Sequence, residues 1–193
     1  MIKIVASAIL ITFGHCQTGL PLWAILPLVL LIWFIFPPEK DAKQAWVLVL
    51  GDLGHSPRIM NQSLSLVAED VTVTMFGYCE SGLTREASEA IKRGKLSIVP
   101  ILPVQLPFLP AGPIRYVIKV AVQICQLLLL LLPRLYFVKS RPAIFLVQNP
   151  PSIPSLVAAW LCCKLGDVKF AIDWHNYGHW GSAISWQFKH TVL

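Results

Sequence analysis

The stretch WVLVLGDLGHSPR, residues 46–58, decides how the rest of the chain is read. An apolar run enters a turn holding two glycines and then meets His55, Ser56, Pro57 and Arg58. A continuous apolar run of this length is what a parallel strand covered on both faces looks like, because neither side of it meets water. Dinucleotide binding places G-x-G-x-x-G in such a turn, and a P-loop places G-x-x-x-x-G-K-[ST] there. Neither is present. The loop has the build of a phosphate-binding turn without the signature of a nucleotide site.

Working outward, residues 71–75 (VTVTM), 97–101 (SIVPI), 143–147 (AIFLV) and 169–173 (KFAID) read as further short strands. Helical stretches lie between them at 58–68, 85–93, 114–138 and 152–165. That alternation predicts an α/β fold with an open parallel sheet of Rossmann type. Ligands of such sheets gather at the carboxyl ends of the strands. Three strand ends are therefore the places to look: GDLGHSPR after the first, QNPPSIPS after the fourth and DWHNYG after the fifth.

Composition narrows the setting. Of 193 residues, 55% are hydrophobic and 13% charged, against about 25% charged in ordinary soluble proteins. The net charge of +6 suits anionic lipid or phosphorylated substrates. Basic clusters interleaved with aromatics are missing, so nucleic acid is not an expected partner. The five cysteines form no C-x-x-C pair, and their odd number argues against a closed disulfide framework. Adjacent Cys162 and Cys163 diverge on a helix. Buried free thiols in a reducing compartment are the expectation.

Residues 20–36, LPLWAILPLVLLIWFIF, carry no charge. As a helix they reach roughly 26 Å, just short of a hydrocarbon core of ~30 Å. Trp23 and Trp33 lie near the two ends, where interfacial aromatics belong, and Pro27 is tolerated in a spanning helix. A transmembrane anchor is predicted here. Residues 2–13 resemble a signal-peptide core, with a second poor span or a lead-in to the anchor as the alternatives. Lys40 and Lys43 follow the anchor and only Lys3 precedes it, which puts the body of the chain in the cytosol. In that orientation the sequon Asn61-Gln62-Ser63 is never presented for glycosylation.

Prolines recur every three or four residues between Pro100 and Pro113, which favours extended chain and forbids a helix. Their neighbours are mostly apolar, so this segment is either a buried crossover or a loop that touches lipid. In the helix that follows, Arg115, Lys119, Gln123 and Gln126 make one polar stripe. The uncharged stretch Val120 to Leu132 is too short to span a membrane. It fits a core helix, or a helix lying on the membrane with Arg134, Lys139 and Arg141 toward headgroups.

Chemistry-bearing residues sit at the strand ends. An unperturbed histidine titrates near pH 6.5, so His55 is a candidate general base. Ser56 can cap the next helix and Pro57 can open it. The helix start with Arg58 is a natural anion site, and Gly51 and Gly54 allow close approach to the backbone. In DWHNYGHW, Asp173 and His175 point to one face of an extended chain and form a second candidate pair. His175 and His179 have a metal-like spacing, but a glycine intervenes and no H-E-x-x-H glutamate is present, so no metal is expected.

Together, VLVLGDLGHSPRI, FLVQNPPSIPS and AIDWHNYG, in this order behind an N-terminal anchor, resemble the chitobiosyldiphosphodolichol beta-mannosyltransferases, a GT-B glycosyltransferase family. The resemblance covers roughly residues 46–178. It implies transfer of a first, beta-linked mannose from GDP-mannose to a dolichol-diphosphate-linked chitobiose, on the cytosolic face of the endoplasmic reticulum, for N-glycan precursor assembly. GDP-mannose is a donor substrate, and no resident cofactor is implied. The N-terminal sheet domain of a GT-B enzyme mainly holds the acceptor, which accounts for the missing nucleotide fingerprint. The alpha-linked donor and beta-linked product imply inversion, so one base must take the acceptor proton while cations or amide dipoles stabilise the leaving diphosphate. His55 is the first candidate for that base, with Asp173 and His175 the alternative. Gly51, Gly54, Ser56, Arg58, Asn149, Asn176 and Tyr177 are candidate acceptor contacts.

The expected organisation is an apolar segment at 1–19, an anchor at 20–36, an incomplete acceptor-side domain at 45–178 and an atypical tail at 179–193. The residues after 178 do not read as the family's continuation, so the chain is expected to lack the C-terminal donor domain and, alone, to transfer no mannose. Membrane lipid and other glycosyltransferases of the same pathway are the further expected partners. Two alternatives remain open: a non-catalytic, anchored acceptor-binding fragment, and a different membrane-linked GT-B transferase. A serine hydrolase is disfavoured because no G-x-S-x-G occurs.

Overall fold

A computed structural model describes residues 38–107, 110, 112–137 and 140–174. The predicted anchor, the apolar segment before it, and everything from His175 onward lie outside the described residues. The chain forms β1 (Lys40–Asp52), a 3-10 turn (Leu53–His55), α1 (Pro57–Ala68), β2 (Thr72–Tyr78), α2 (Arg85–Lys92) and β3 (Leu96–Pro100). It continues with α3 (Pro113–Phe137), β4 (Arg141–Asn149), α4 (Ser155–Gly166) and β5 (Lys169–Trp174). All four strand pairings are parallel, and the sheet order is β3-β2-β1-β4-β5. The Rossmann-like α/β architecture expected from the alternation is the one observed.

The unbroken apolar run of β1 has a direct cause. Residues Ala45 to Val49 are all buried, because successive side chains enter two different cores. Trp46 and Leu48 join Phe145, Val147 and the α3 and α4 residues Leu127, Leu131, Ala158 and Cys162. Ala45, Val47 and Val49 join Ile59 and Met60 of α1, Met75 of β2 and Ala87 of α2. Cys162 and Cys163 are buried free thiols, as expected, and burial pushes both up to about 12. Cys79 and Cys125 are exposed, contrary to that expectation, because they lie outside both cores.

Strand order reverses between β1 and β4, so the crevice at the carboxyl end of the sheet opens there. Residues 101–107 form no regular element, with Ile101 and Leu106 buried and Leu102 exposed. The proline-spaced segment is thus half crossover and half surface. The stripe on α3 departs from expectation. Gln123 is buried and donates to the Tyr78 hydroxyl at 2.8 Å, and Gln126 donates to the Leu102 carbonyl at 2.9 Å. These amides face the body because they satisfy polar groups there. Arg141 likewise turns inward, donating to the carbonyls of Pro38 and Gly166, and is not a headgroup contact.

Candidate functional site

The turn after β1 is built from its neighbours. A Cβ on Gly77 of β2 would stand 2.7 Å from Leu53 Cδ2, so the glycine lets buried Leu53 plug the underside of the 3-10 turn. A Cβ on Gly54 would stand 2.8 Å from both the Gly82 carbonyl oxygen and Ser81 Cβ. The space that Gly54 leaves is thus filled by the loop after β2, and not by a ligand. Gly51 is different, because a Cβ there meets only Val49 Cγ1 at an ordinary 3.6 Å. Gly54→Ala is expected to displace the 81–82 loop and cost about 1–3 kcal/mol, whereas Gly51→Ala is nearly neutral. Urea unfolding of the two variants checks this.

That packing completes a hydrogen-bonded cluster around His55. Asp52 Oδ2 lies 2.5 Å from His55 Nδ1, and Ser81 Oγ lies 2.9 Å from the same nitrogen. Asp52 Oδ1 accepts the backbone N–H groups of Glu80 and Ser81 at 3.0 and 3.2 Å. The Asp52 carboxyl is held far below its usual range, first by the Ser81 side chain, then by His55, then by these amides. An ionised carboxylate only accepts hydrogen bonds. The Nδ1 beside it must carry the proton, which leaves the lone pair of a neutral ring on Nε2. The imidazole is 79% exposed while Asp52 is 13% exposed. A fixed anion below and an open nitrogen above is the arrangement of a general base oriented by a carboxylate.

Neither Asp52 nor Ser81 was singled out in the sequence. Asp52 had a local signal, being three residues before the histidine on the same turn. Ser81 had none, since it arrives from a loop 26 positions away. Ser56 corrects another expectation. It makes no side-chain cap to α1, and its hydroxyl instead donates to the Asp52 carbonyl at 2.9 Å. The 3-10 turn directs it backward, so it braces the loop. Pro57 does open α1.

Arg58 was expected to reach an acceptor diphosphate. Its Nη2 donates to Asp173 Oδ1 at 2.8 Å. This ion pair ties the turn after β1 to the end of β5, reaching past the end of β4. Asp173 is paired with Arg58 and lies on the α1 face. Its expected partner His175, together with Asn176 and Tyr177, lies outside the described residues. Asn149 is fully buried, its side-chain oxygen accepting from the Ser152 hydroxyl at 2.5 Å. It shapes the loop that leads into α4. Among the described residues, no three His, Cys, Asp or Glu side chains come together to hold a metal ion.

The Arg58–Asp173 pair carries its own prediction. The Asp173 side chain is only 7% exposed and Arg58 is half exposed. Arg58→Leu would leave a buried carboxylate without its cation. The cost expected is about 1–3 kcal/mol, below the value for a fully buried pair because solvent screens the arginine side. Adding Asp173→Asn recovers most of the loss, which a double-mutant cycle in urea reads directly.

No family model matches the chain. Curated relatives do. The human chitobiosyldiphosphodolichol beta-mannosyltransferase is 35% identical over 169 residues, covering 86% of this chain and 34% of that protein. The Dictyostelium discoideum enzyme of the same name is 34% identical over 145 residues, covering 69% of this chain and 28% of its own length. The chain therefore spans about a third of the length of the curated relatives it matches. Two solved structures are similar in part, each with a TM-score below 0.5. The C-terminal domain of PF1911 hydrogenase from Pyrococcus furiosus matches with a TM-score of 0.47 at 11% identity, over 72% of this chain and 95% of that one. A glycotransferase of kitacinnamycin matches with a TM-score of 0.45 at 15% identity, over 78% and 36%. Over most of its own length, and about a third of theirs, the chain is a homologue of the chitobiosyldiphosphodolichol beta-mannosyltransferases.

Proposed function

We propose that this Rossmann-like unit is the acceptor side of an inverting GT-B mannosyltransferase, acting on dolichol-diphosphate-linked chitobiose with GDP-mannose as donor. The observation that carries the reading is the Asp52–His55 pair, placed at the carboxyl end of β1 beside the strand-order reversal. The acceptor hydroxyl attacks the anomeric carbon of mannose, and its proton passes to His55 Nε2. The bond from that carbon to the diphosphate breaks, and GDP leaves with the electron pair. Asp52 stays anionic and steadies the imidazolium that forms, while its two backbone amide bonds keep the ring aimed. Asp52 is a positioning residue in this scheme, and His55 is the catalytic one.

Groups that hold the nucleotide sugar and stabilise the departing diphosphate belong to protein beyond this domain. With Arg58 engaged by Asp173, its role is to hold the two loops together. We place the body on the cytosolic face of the endoplasmic reticulum membrane, where Lys40 and Lys43 following the predicted anchor would put it. Binding tests the acceptor half of the reading. The full chain in vesicles should retain dolichyl-diphosphate chitobiose saturably and dolichyl phosphate weakly. Equal retention of the two lipids would refute acceptor recognition by this domain.

A further inference from the structure

The helix α3 is the one described helix long and apolar enough to cross a membrane. The fold rules out that use. Its second half is pinned to the sheet by Leu127, Leu131 and Leu135, all buried in the core with Trp46 and Phe145. The rest of the helix behaves differently. Tyr116 lies on the same helical stripe as Gln123, Leu127, Leu131 and Leu135, at spacings of seven and four. That stripe is otherwise buried, yet Tyr116 is 64% exposed. The first turns of α3 therefore run past the body of the protein.

The opposite stripe is apolar along its whole length. Ile114, Ile118, Val122, Cys125 and Leu129 recur at spacings of three and four. Ile114 is 71% and Leu129 76% exposed. Scattered exposed apolar residues are ordinary, but a continuous stripe marks a surface that something covers. Exposed Leu102 of the preceding loop adds to it. Beside the stripe, an open groove of about 490 Å³ is lined by Val104, Leu106, Pro107, Arg115, Tyr116 and Lys119. Among the described residues, Arg115 and Lys119 have no ion-pair partner. The sequence explains why: Ala90 to Gly166 holds nine Lys and Arg residues and no Asp or Glu.

We propose that the outer face of α3, with residues 102–107, docks on the surface of an anionic lipid bilayer. The helix lies flat, its apolar stripe in the headgroup and upper acyl layer and Arg115 and Lys119 on lipid phosphates. The side that a free amphipathic helix would give to water is here given to the protein core. The groove opens at the carboxyl end of the sheet, the same end as His55, so docking brings that end of the domain close to the lipid layer. The inference stands on exposure and charge and does not depend on the transferase reading.

Lipid photolabelling tests it. The full chain is reconstituted in phosphatidylcholine vesicles with or without phosphatidylserine, each containing a phosphatidylcholine with a diazirine near the glycerol end of one acyl chain. Labelled peptides are mapped by mass spectrometry, with labelling elsewhere in the chain as the internal reference. Residues 102–129 should be labelled, and more so with phosphatidylserine. Near-surface cations each contribute enough to partitioning that R115E/K119E should lower this labelling about tenfold. I114S/L129S, which leaves charge unchanged, should lower it in both vesicle types. Circular dichroism checks that each variant keeps its fold. Absence of label in residues 102–129, or label unchanged by R115E/K119E, overturns the proposal; a protein partner on this face would give the first result. Neither outcome bears on mannosyl transfer, so failure here is distinct from failure of the proposed function.

Discussion

Replacing His55 by alanine, in an enzyme that joins this domain to a donor domain, is expected to lower kcat for mannosyl transfer by about 10²–10⁴-fold with little change in KM for the acceptor lipid. The magnitude is the ordinary worth of a positioned general base. Little change in KM is expected because the imidazole is mostly exposed and its proposed part is to take a proton in the transition state. Asp52→Asn should fall on the same side but less steeply. An asparagine oxygen can still accept from Nδ1 and keep the tautomer, but it brings no charge to steady the imidazolium. It also puts at risk the amide contacts to Glu80 and Ser81 that fix the loop. His55→Gln separates proton transfer from simple contact, since glutamine fills similar space and accepts no proton at neutral pH. Radiolabelled mannose transfer to the acceptor lipid gives all three values. Near-normal turnover of the alanine variant would remove His55 from the role and leave the β5 end as the place to look.

Much of the fold was legible because burial on two faces leaves a plain trace in composition. The apolar runs at 46–50 and 143–147 are central strands, and they lie where two cores meet. Edges were less legible. β1 begins at Lys40, six positions earlier than its apolar run, because Lys40 pairs with Arg141 and Gln44 with Thr72 in the ladder. Backbone pairing extends that strand through polar residues that carry no strand signature of their own. The candidate site followed the same division. His55 was visible from its place after an apolar strand, whereas Ser81 depended on tertiary packing through Gly54. Arg58 lies at the strand end as read from the sequence, and its ion pair with Asp173 is what the sequence did not show. Nothing local in GDLGHSPR indicates that Asp173, 115 positions away, folds against it.

Phe145→Ala is expected to be the most destabilising of the single changes considered, at about 3–5 kcal/mol. Phe145 sits on β4, is 1% exposed, and meets Trp46 of β1 edge-on at 5.7 Å and an interplanar angle of 88°. Trp46 in turn meets Phe76 of β2 at 5.2 Å, and Phe76 lies 6.3 Å from Phe145. The three rings thus cross the centre of the sheet, one from each of its three middle strands, under α3 and α4. Truncation removes the largest apolar surface of one strand and both ring contacts. The cavity can close little, because rigid strands hold the other two rings apart. For a domain of this size each kcal/mol moves Tm by roughly 2–4 °C, so a fall of about 6–20 °C is expected by circular dichroism. Leu129→Ala removes an apolar side chain from the same layer but from its exposed face, and should change Tm in detergent by less than about 2 °C. The contrast separates the two faces of α3: the inner one holds the sheet together, and the outer one contributes to stability only when a bilayer covers it.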